Sequence, residues 1–334
     1  MAELTREAHA EWTILEAVRT ALLHAMEEDD RVLVLGEDVG LRGGVFQTTA
    51  GLHRRFGPGR VIDTPIAESA IVGVAIGAAL AGLRPVAEIQ FADFIHPAFN
   101  QLVNEAAKLR YRSAGAWSCP LVVRAPYGGV HGGGLYHGQS VEALFSHIPG
   151  LRVFAPSTPA DTYGLLRLAI RGEDPVLFLE PKRIYASVRG PVPLDLGGVG
   201  LNAAVRRHGE DVSVIAYGMM LHRALAAADL LAAEDISVEV LDLRSLRPLD
   251  ETAVLETVRK TGRLCVVHED NAMCGYGAEL AALVAEKALF ALDAPVRRVA
   301  GPEIPGLPYC PALEDEVVPT VARIAAALRA LAEY

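Results

Sequence analysis

Cysteine is scarce in this sequence, and metal-binding spacings are absent. The 334 residues include four cysteines, no two of which form a C-x-x-C pair. This spacing excludes a disulfide framework and is typical of reduced thiols. No H-E-x-x-H pattern is present either. The adjacent His268, Glu269 and Asp270 lack metal-ligand spacing and would point in different directions, so we interpret them as structural residues.

Long apolar runs and excess basic charge are also missing. The longest uncharged apolar stretch, between Glu68 and Arg84, is too short to be a convincing membrane span. The first 16 residues contain four glutamates and no apolar core, so we expect no signal peptide and a cytoplasmic protein. The net charge of −10 disfavours nucleic acid and anionic membranes as partners.

Apolar strand patterns alternate with helical patterns along the whole chain. This alternation predicts βα units around mainly parallel sheets, an α/β fold, with single helices over residues 97–112 and 316–331. Residues 187–200 are rich in glycine and proline and indicate a boundary. We therefore expect one domain over residues 1–190 and a smaller α/β domain over residues 201–334.

One helix, predicted over residues 66–81, organises the first half of the chain. Thr64 is its expected N-cap, and no charge follows Glu68 until Arg84, so the helix should be buried on all sides. Gly73 and Gly77 share one face, which something must approach closely. A carboxyl group held against such a helix would be poorly solvated, which would raise the pKa of Glu68. The alternative is that Glu68 only complements the helix dipole.

A glycine-rich loop follows the strand that ends near residue 124. Six of the eleven residues from 128 to 138 are glycine, which indicates a backbone lying close to something else. His131 and His137 in this loop are candidates for proton transfer, and His137 is the better placed because a helix should begin soon after it. The alternative is that both are solvated or backbone-paired.

Gln90 and Phe94 come at the carboxyl end of another predicted strand. This edge of a parallel sheet faces ligands, and Phe94 could stack on an aromatic ring. A simple core position for Phe94 is equally compatible with the pattern.

Several segments together resemble the beta subunit of the thiamine-dependent 2-oxo acid dehydrogenases, the decarboxylating first component of large multienzyme complexes. The resemblance spans nearly the whole chain. Its segments are Leu35-Gly36-Glu37-Asp38-Val39, Gly43-Gly44-Val45-Phe46, Asp63-Thr64-Pro65-Ile66-Ala67-Glu68, Glu88-Ile89-Gln90-Phe91-Ala92-Asp93-Phe94, Leu135-Tyr136-His137-Gly138-Gln139-Ser140, Phe178-Leu179-Glu180-Pro181-Lys182-Arg183 and Leu241-Asp242-Leu243-Arg244.

This resemblance implies a transketolase-like, thiamine-diphosphate-binding pyrimidine domain and a C-terminal transketolase-like domain. It also implies an α2β2 heterotetramer with an alpha subunit, docked on a lipoyl acyltransferase core. The glutamate matching Glu68 bonds the aminopyrimidine ring of the coenzyme, and Ile66, Gln90 and Phe94 match residues that line the pyrimidine pocket. The histidine matching His137 assists proton transfer in reductive acylation of a lipoyl group.

The resemblance bears on metals in two ways. Thiamine enzymes hold the diphosphate through magnesium with a Gly-Asp-Gly turn, and this sequence contains none. We therefore expect no magnesium ligands in this chain and a metal held by the alpha subunit. Relatives also hold a structural potassium ion through backbone carbonyls. The matching positions are Leu121, Val122, Ala169, Gly172 and Asp174.

The expected function is decarboxylation of a branched-chain 2-oxo acid with transfer of the acyl group to lipoyl. The branched-chain type is favoured by residues 91–99 and 135–140. Pyruvate and acetoin remain alternatives because the alpha subunit is expected to contribute much of the substrate pocket. A non-catalytic scaffold is the alternative from another class, and the presence of both Glu68 and His137 disfavours it.

Overall fold

The computed structural model describes residues 11–130, 132–195 and 199–334. The candidate His131 lies outside these residues. The chain divides into two compact units: the first unit comprises Met1–Tyr127 and Leu144–Gly200, and the second comprises Gly128–Ala143 and Leu201–Tyr334. The domain limits expected from the sequence, 1–190 and 201–334, stay a prediction.

The strands and helices up to residue 200 alternate as expected. The strands are β1 Glu11–Thr13, β2 Val32–Gly36, β3 Val61–Asp63, β4 Arg84–Glu88, β5 Val122–Tyr127, β6 Arg152–Phe154, β7 Val176–Pro181 and β8 Arg189–Pro191. The α-helices are α1 Ile14–Glu28, α2 Leu52–Phe56, α3 Glu68–Leu80, α4 Leu109–Arg112, α5 Glu142–Ser146 and α6 Pro159–Arg171.

The start of α1 shows how local sequence sets an element. The Thr13 side chain accepts the Glu16 N–H at 3.1 Å, and the Glu16 carboxylate accepts the Thr13 N–H at 2.8 Å. This reciprocal pair satisfies backbone donors that the first helical turn would leave unpaired. The helix then packs on α6, where the Trp12 and Tyr163 rings meet edge to face at 5.7 Å.

Six strands of the first unit form a parallel sheet in the order β6-β7-β5-β4-β2-β3. The chain passes from β2 outward to β3 and then returns past β2 to β4, so its direction reverses between β2 and β4. In parallel sheets, the crevice outside the carboxyl ends at such a reversal is the usual ligand site. A short antiparallel pair, β1 with β8, completes the unit.

The observed α3 differs from the predicted helix in two respects, its N-terminal cap and the burial of one of its faces. It begins at Glu68, and its cap residue Ala67 makes no side-chain hydrogen bond, so the predicted N-cap at Thr64 is wrong. Val74 and Leu80 are 63% and 47% exposed, so burial on all sides is wrong for this chain. The reason is that β4 and the turns after it contact only one side of the helix.

The predicted helix over residues 97–112 is also wrong as a single element. It is a succession of a 3₁₀ turn at His96–Ala98, a π turn at Gln101–Glu105, a 3₁₀ turn at Ala106–Lys108, and α4. The π turn inserts a residue, so the regular hydrogen-bond pattern is lost on both sides of it.

The second unit contains a smaller sheet in the order β14-β13-β10-β11-β9, parallel except for the edge strand β9. The strands of this part of the chain are β9 Ala204–Arg207, β10 Val212–Ala216, β11 Val238–Asp242, β12 Ser245–Arg247, β13 Leu264–Asn271 and β14 Arg297–Gly301, and β12 is not part of the five-stranded sheet. Its helices are α7 Met219–Ala232, α8 Glu251–Thr261, α9 Tyr276–Lys287, α10 Pro311–Val317 and α11 Val321–Ala332.

The predicted single helix over residues 316–331 is therefore split. Pro319 interrupts it, and Thr320 starts α11 afresh by accepting the Arg323 N–H at 3.2 Å. Among the residues that the structure describes, none of the helices combines the length and apolar character that a bilayer crossing requires.

Candidate functional site

The carboxyl edge of the first unit's sheet gathers four of the candidate residues. Gln90 follows β4, and its side-chain amide donates to the backbone carbonyl of Glu37, which follows β2, at 3.4 Å. The Thr64 N–H donates to the Gly36 carbonyl at 2.9 Å, which ties the segment after β3 to the end of β2. Ile66, Glu68, Gln90 and Phe94 therefore all follow strand ends at the place where the sheet changes direction.

Glu68 is the first residue of α3 and is half-buried. Its position in the first helical turn places its carboxyl group near unpaired backbone N–H groups, which favours negative charge there. Two residues earlier, Ile66 is 82% exposed. An exposed aliphatic side chain close in sequence to a carboxyl group fits a ligand with an apolar face and a polar edge.

Glu37 is a candidate site residue that sequence reasoning missed. Its side chain is buried, and burial, followed by the negative charges of Glu68 and Asp38, raises its pKa. The available sequence signal was the segment Gly36-Glu37-Asp38 directly after a buried strand.

Aromatic rings line the neighbouring part of this edge. The Phe94 ring, half-buried in the 3₁₀ turn Ala92–Phe94, meets the Phe91 ring at 5.6 Å. Phe91 in turn meets Phe46 at 5.4 Å, and Phe46 meets Tyr185 at 5.3 Å. Because each ring packs edge on against the next, Phe94 is part of a fixed aromatic wall and not an isolated core residue.

A buried ion cluster supports the same strand ends. Arg124 on β5 donates to Glu88 on β4 at 2.7 Å and to Glu180 on β7 at 2.6 and 2.9 Å. Burial disfavours the charged arginine, but the charges of Glu180 and Glu88 outweigh it and raise the pKa of Arg124. Burial raises the pKa of Glu88 against the opposing charge of Arg124. Truncating Arg124 would leave two buried carboxyl groups without their arginine counter-charge.

His137 belongs to the second unit, whereas Ile66, Glu68, Gln90 and Phe94 belong to the first. It follows the 3₁₀ turn Gly134–Tyr136 and is half-buried, with its Nδ1 3.3 Å from the Gly133 carbonyl. The loop around it is held by close backbone approaches. A Cβ atom on Gly138 would lie 2.5 Å from Leu307, and one on Gly128 would lie 2.9 Å from both carboxyl oxygens of Glu269. The expectation that glycine allows close approach is thereby confirmed.

The five positions suggested for potassium fall in two separate segments of the chain: Leu121 and Val122 at or just before the start of β5, and Ala169, Gly172 and Asp174 at or just after the end of α6. The Gly172 carbonyl accepts a hydrogen bond from Arg84 at 2.8 Å. The Asp174 carboxylate accepts hydrogen bonds from Arg110 and Arg152, each at 2.7 Å. These guanidinium groups would repel another cation, so the local charges disfavour potassium here. The potassium site stays a prediction.

Within residues 11–130, 132–195 and 199–334, no three His, Cys, Asp or Glu side chains are grouped so that they could hold a metal ion. Buried carboxyl groups do occur, and two of them, Glu180 and Glu142, accept hydrogen bonds from Arg124 and Tyr217.

Comparison with known proteins identifies the class. The family model for the transketolase pyrimidine-binding domain matches residues 10–187, and that for the transketolase C-terminal domain matches residues 201–324. A solved structure, "Split gene transketolase, inactive beta4 tetramer", has a TM-score of 0.76 and 26% identity, covering 96% of this chain and 98% of that chain. The protein is therefore transketolase-like, and the predicted fold class is confirmed.

Sequence relatives narrow the class further. The 2-oxoisovalerate dehydrogenase subunit beta of Bacillus subtilis (strain 168) is 53% identical over 321 residues, which cover 96% of this chain and 98% of that protein. The pyruvate dehydrogenase E1 component subunit beta of Acholeplasma laidlawii is 48% identical over 291 residues, covering 85% and 88%. The chain belongs to the beta subunits of the thiamine-dependent 2-oxo acid dehydrogenases, as the sequence resemblance predicted.

Proposed function

We propose that this chain is the beta subunit of a thiamine-diphosphate-dependent dehydrogenase for branched-chain 2-oxo acids. The observation that carries the proposal is the placement of Glu68 at the sheet reversal, where its charge acts on the buried Glu37. A carboxyl group there can hold or release a proton at the edge of a bound heterocycle. The coenzyme, when bound, supplies the reactive carbon that attacks the 2-oxo group.

The residues present fit the ring end of thiamine diphosphate. Glu68 would accept or donate at a ring nitrogen, while Ile66 and the wall containing Phe94 would contact the ring faces. Gln90 supplies an amide at the same edge, held to the Glu37 carbonyl at 3.4 Å.

The charged end of the coenzyme belongs to a partner in this proposal. The sequence has no Gly-Asp-Gly turn, so an alpha subunit would hold magnesium and the diphosphate. The exposed apolar face of α3, containing Gly73, Val74, Gly77 and Leu80, supports an extensive subunit contact. We expect an α2β2 assembly docked on a lipoyl acyltransferase core, following the same family pattern. Within this chain, residues 1–190 and 201–334 would form the two domains.

His137 is proposed to move a proton during acyl transfer to the lipoyl group. A neutral imidazole can exchange a proton near pH 7, and the Gly133 carbonyl, 3.3 Å from Nδ1, orients the ring. We expect His137→Ala to reduce lipoyl acylation about 100-fold or more. Decarboxylation measured with an artificial electron acceptor should change much less, and equal losses in both assays would contradict the assignment.

Two experiments test the proposal as a whole. Calorimetry should detect tight, magnesium-dependent binding of thiamine diphosphate only when this chain is assembled with an alpha subunit. Tight binding by the isolated chain would overturn the shared site. A panel of 2-oxo acids should then give a higher kcat/KM for branched-chain substrates than for pyruvate, and the reverse order would assign the chain to the pyruvate type.

A further inference from the structure

The loop that carries His137 is closed on itself. The Gly128 N–H donates to the Gln139 carbonyl at 3.0 Å, which joins the start of the loop to a residue just beyond the histidine. Inside the loop, the Gly133 N–H donates to the Val130 carbonyl at 2.9 Å. The position of His137 therefore depends on where the start of the loop is held.

Glu269, in β13, holds that start. Its Oε2 accepts the Gly129 N–H at 2.9 Å. Both carboxyl oxygens also lie 2.9 Å from where a Cβ atom of Gly128 would be, at a backbone φ of +81° that only glycine adopts easily. The carboxyl group thus occupies the space that Gly128 leaves open. Such a contact leaves the first residues of the loop little freedom.

The opposite side of the loop packs on residues 306–309 of the same unit. A Cβ atom on Gly138 would lie 2.5 Å from Leu307, and one on Gly134 would lie 3.1 Å from Tyr309. A Cβ atom on Gly306 would in turn lie 2.7 Å from Leu135. These apolar contacts hold the turn in place but are not directional, whereas the hydrogen bond that the Gly129 N–H donates is directional. We therefore expect that hydrogen bond to set the register of the loop.

We propose that Glu269 is a positioning residue for His137. By accepting the Gly129 N–H, it fixes the start of the loop, and the Gly128–Gln139 hydrogen bond passes that constraint to the turn containing the histidine. The consequence for acyl transfer rests on the proposed function, whereas the tether itself does not.

Two substitutions separate positioning from general stability. Glu269→Ala removes the acceptor, and Glu269→Gln restores an uncharged acceptor of the same length. Glu286→Ala, on the exposed side of α9, serves as the control. Each variant is assembled with an alpha subunit, and amide hydrogen exchange is measured for peptides spanning residues 126–141, together with lipoyl acylation and decarboxylation with an artificial acceptor.

We expect Glu269→Ala to accelerate exchange in the loop about 10-fold or more. It should lower the kcat of acylation about 10- to 100-fold, because small displacements of a reacting group have large kinetic effects. Decarboxylation should stay within about two-fold of the wild-type rate. Glu269→Gln should restore most of the slow loop exchange and most of the acylation rate. The control should match the wild type.

Three results would overturn parts of this picture. Unchanged exchange in Glu269→Ala would overturn the tether. Equal losses of acylation and decarboxylation, without rescue by glutamine, would reduce Glu269 to a structural residue and overturn its positioning role. Accelerated exchange with normal acylation would leave the tether in place and overturn the positioning role of Glu269, whereas normal acylation in His137→Ala would contradict the proposed function of His137.

Discussion

Glu68 is the residue on which the proposed chemistry depends, and its charge can be removed with little change of shape. Glu68→Gln keeps a side chain of similar size at the start of α3 but cannot exchange a proton. We expect subunit assembly to be unchanged and activation of the bound coenzyme to fall about 100-fold or more, the usual contribution of a positioned acid or base. The exchange rate of the coenzyme's reactive C–H proton, followed by NMR, measures this directly.

The control for that substitution is Glu286→Gln on the exposed side of α9, which should exchange at the wild-type rate. A normal exchange rate in assembled Glu68→Gln would remove Glu68 from the mechanism. A failure of assembly would indicate that the carboxyl group is structural.

Glu142 allows a second prediction at this scale, about the pH dependence of folding stability. It is fully buried and accepts a hydrogen bond from Tyr217 at 2.8 Å; burial, and then the charge of Asp270, raises its pKa to about 8. The native state therefore holds a proton that the unfolded chain releases above its ordinary pKa of about 4.3. Stability contributed by this group is complete below that pH and is lost as pH rises toward 8.

Glu142→Gln mimics the protonated acid and removes this titration. Its melting temperature should therefore depend less on pH between about 5 and 8 than that of the wild type, with the variant gaining most at the alkaline end. Thermal unfolding across this pH range measures the difference. Burial also raises the pKa of Asp270, to about 6, so Asp270→Asn should show a smaller effect of the same sign. Parallel pH curves for wild type and Glu142→Gln would contradict the assignment.

At this scale the sequence identified residues with a local signal and missed those that depend on distant neighbours. Glu68 and Gln90 follow predicted strands, so the topology rule could place them. Glu37 and Glu142 acquire raised pKa values from burial and from charges that tertiary structure brings close. No spacing in the sequence records those contacts.

At the scale of elements, the buried strands and the capped helices were predictable. Helix α8 begins where Asp250 accepts the Ala253 N–H at 3.1 Å, and it ends at Gly262 with a φ of +67°. The shortest strands were not predictable, because strands of three or four residues such as β1, β8 and β9 are too short to show an alternation of apolar and polar residues. The exposed face of α3 was missed because a uniformly apolar helix does not reveal which side its own chain covers.

Arg84 connects two elements and allows a prediction about potassium. Its side chain is 13% exposed, and Nη1 donates to the carbonyls of Ile170 and Gly172 at 3.0 and 2.8 Å. Because this positive charge already satisfies the carbonyls, replacing sodium with potassium should leave the melting temperature of the wild type unchanged. Arg84→Met should destabilise the protein by about 2 kcal/mol, since it leaves acceptors unpaired.

Arg112→Met is the control, because Arg112 makes an exposed ion pair with Glu105 that should contribute little. Differential scanning calorimetry in potassium and sodium salts provides the measurement. A clear rise in the melting temperature of the wild type with potassium would contradict this prediction and support a potassium site near Gly172.

At the scale of the whole molecule, the uncovered face of α3 argues for assembly. Gly73, Val74, Gly77 and Leu80 are exposed on a helix that has no charged residue after Glu68. Glycine costs about 1 kcal/mol relative to alanine inside a helix, yet apart from the helix's own neighbouring backbone no atom of the described residues comes within 4 Å of a Cβ atom placed on Gly77. A contact that needs glycine at this position would have to come from outside the described residues, as a second chain would supply.

Gly77→Leu tests this face without disturbing the fold of the isolated chain. The added side chain meets open space, and leucine favours helix, so the isolated variant should be at least as stable as the wild type, by up to about 1 kcal/mol. In the presence of the alpha subunit, the bulkier side chain should hold the two helical surfaces apart and weaken assembly about 10-fold or more, because small residues permit close helix packing. Sedimentation velocity over a concentration series measures assembly, and Ala285→Leu, on the exposed side of α9, is the matched control. Normal assembly of Gly77→Leu would place the subunit contact elsewhere on the chain.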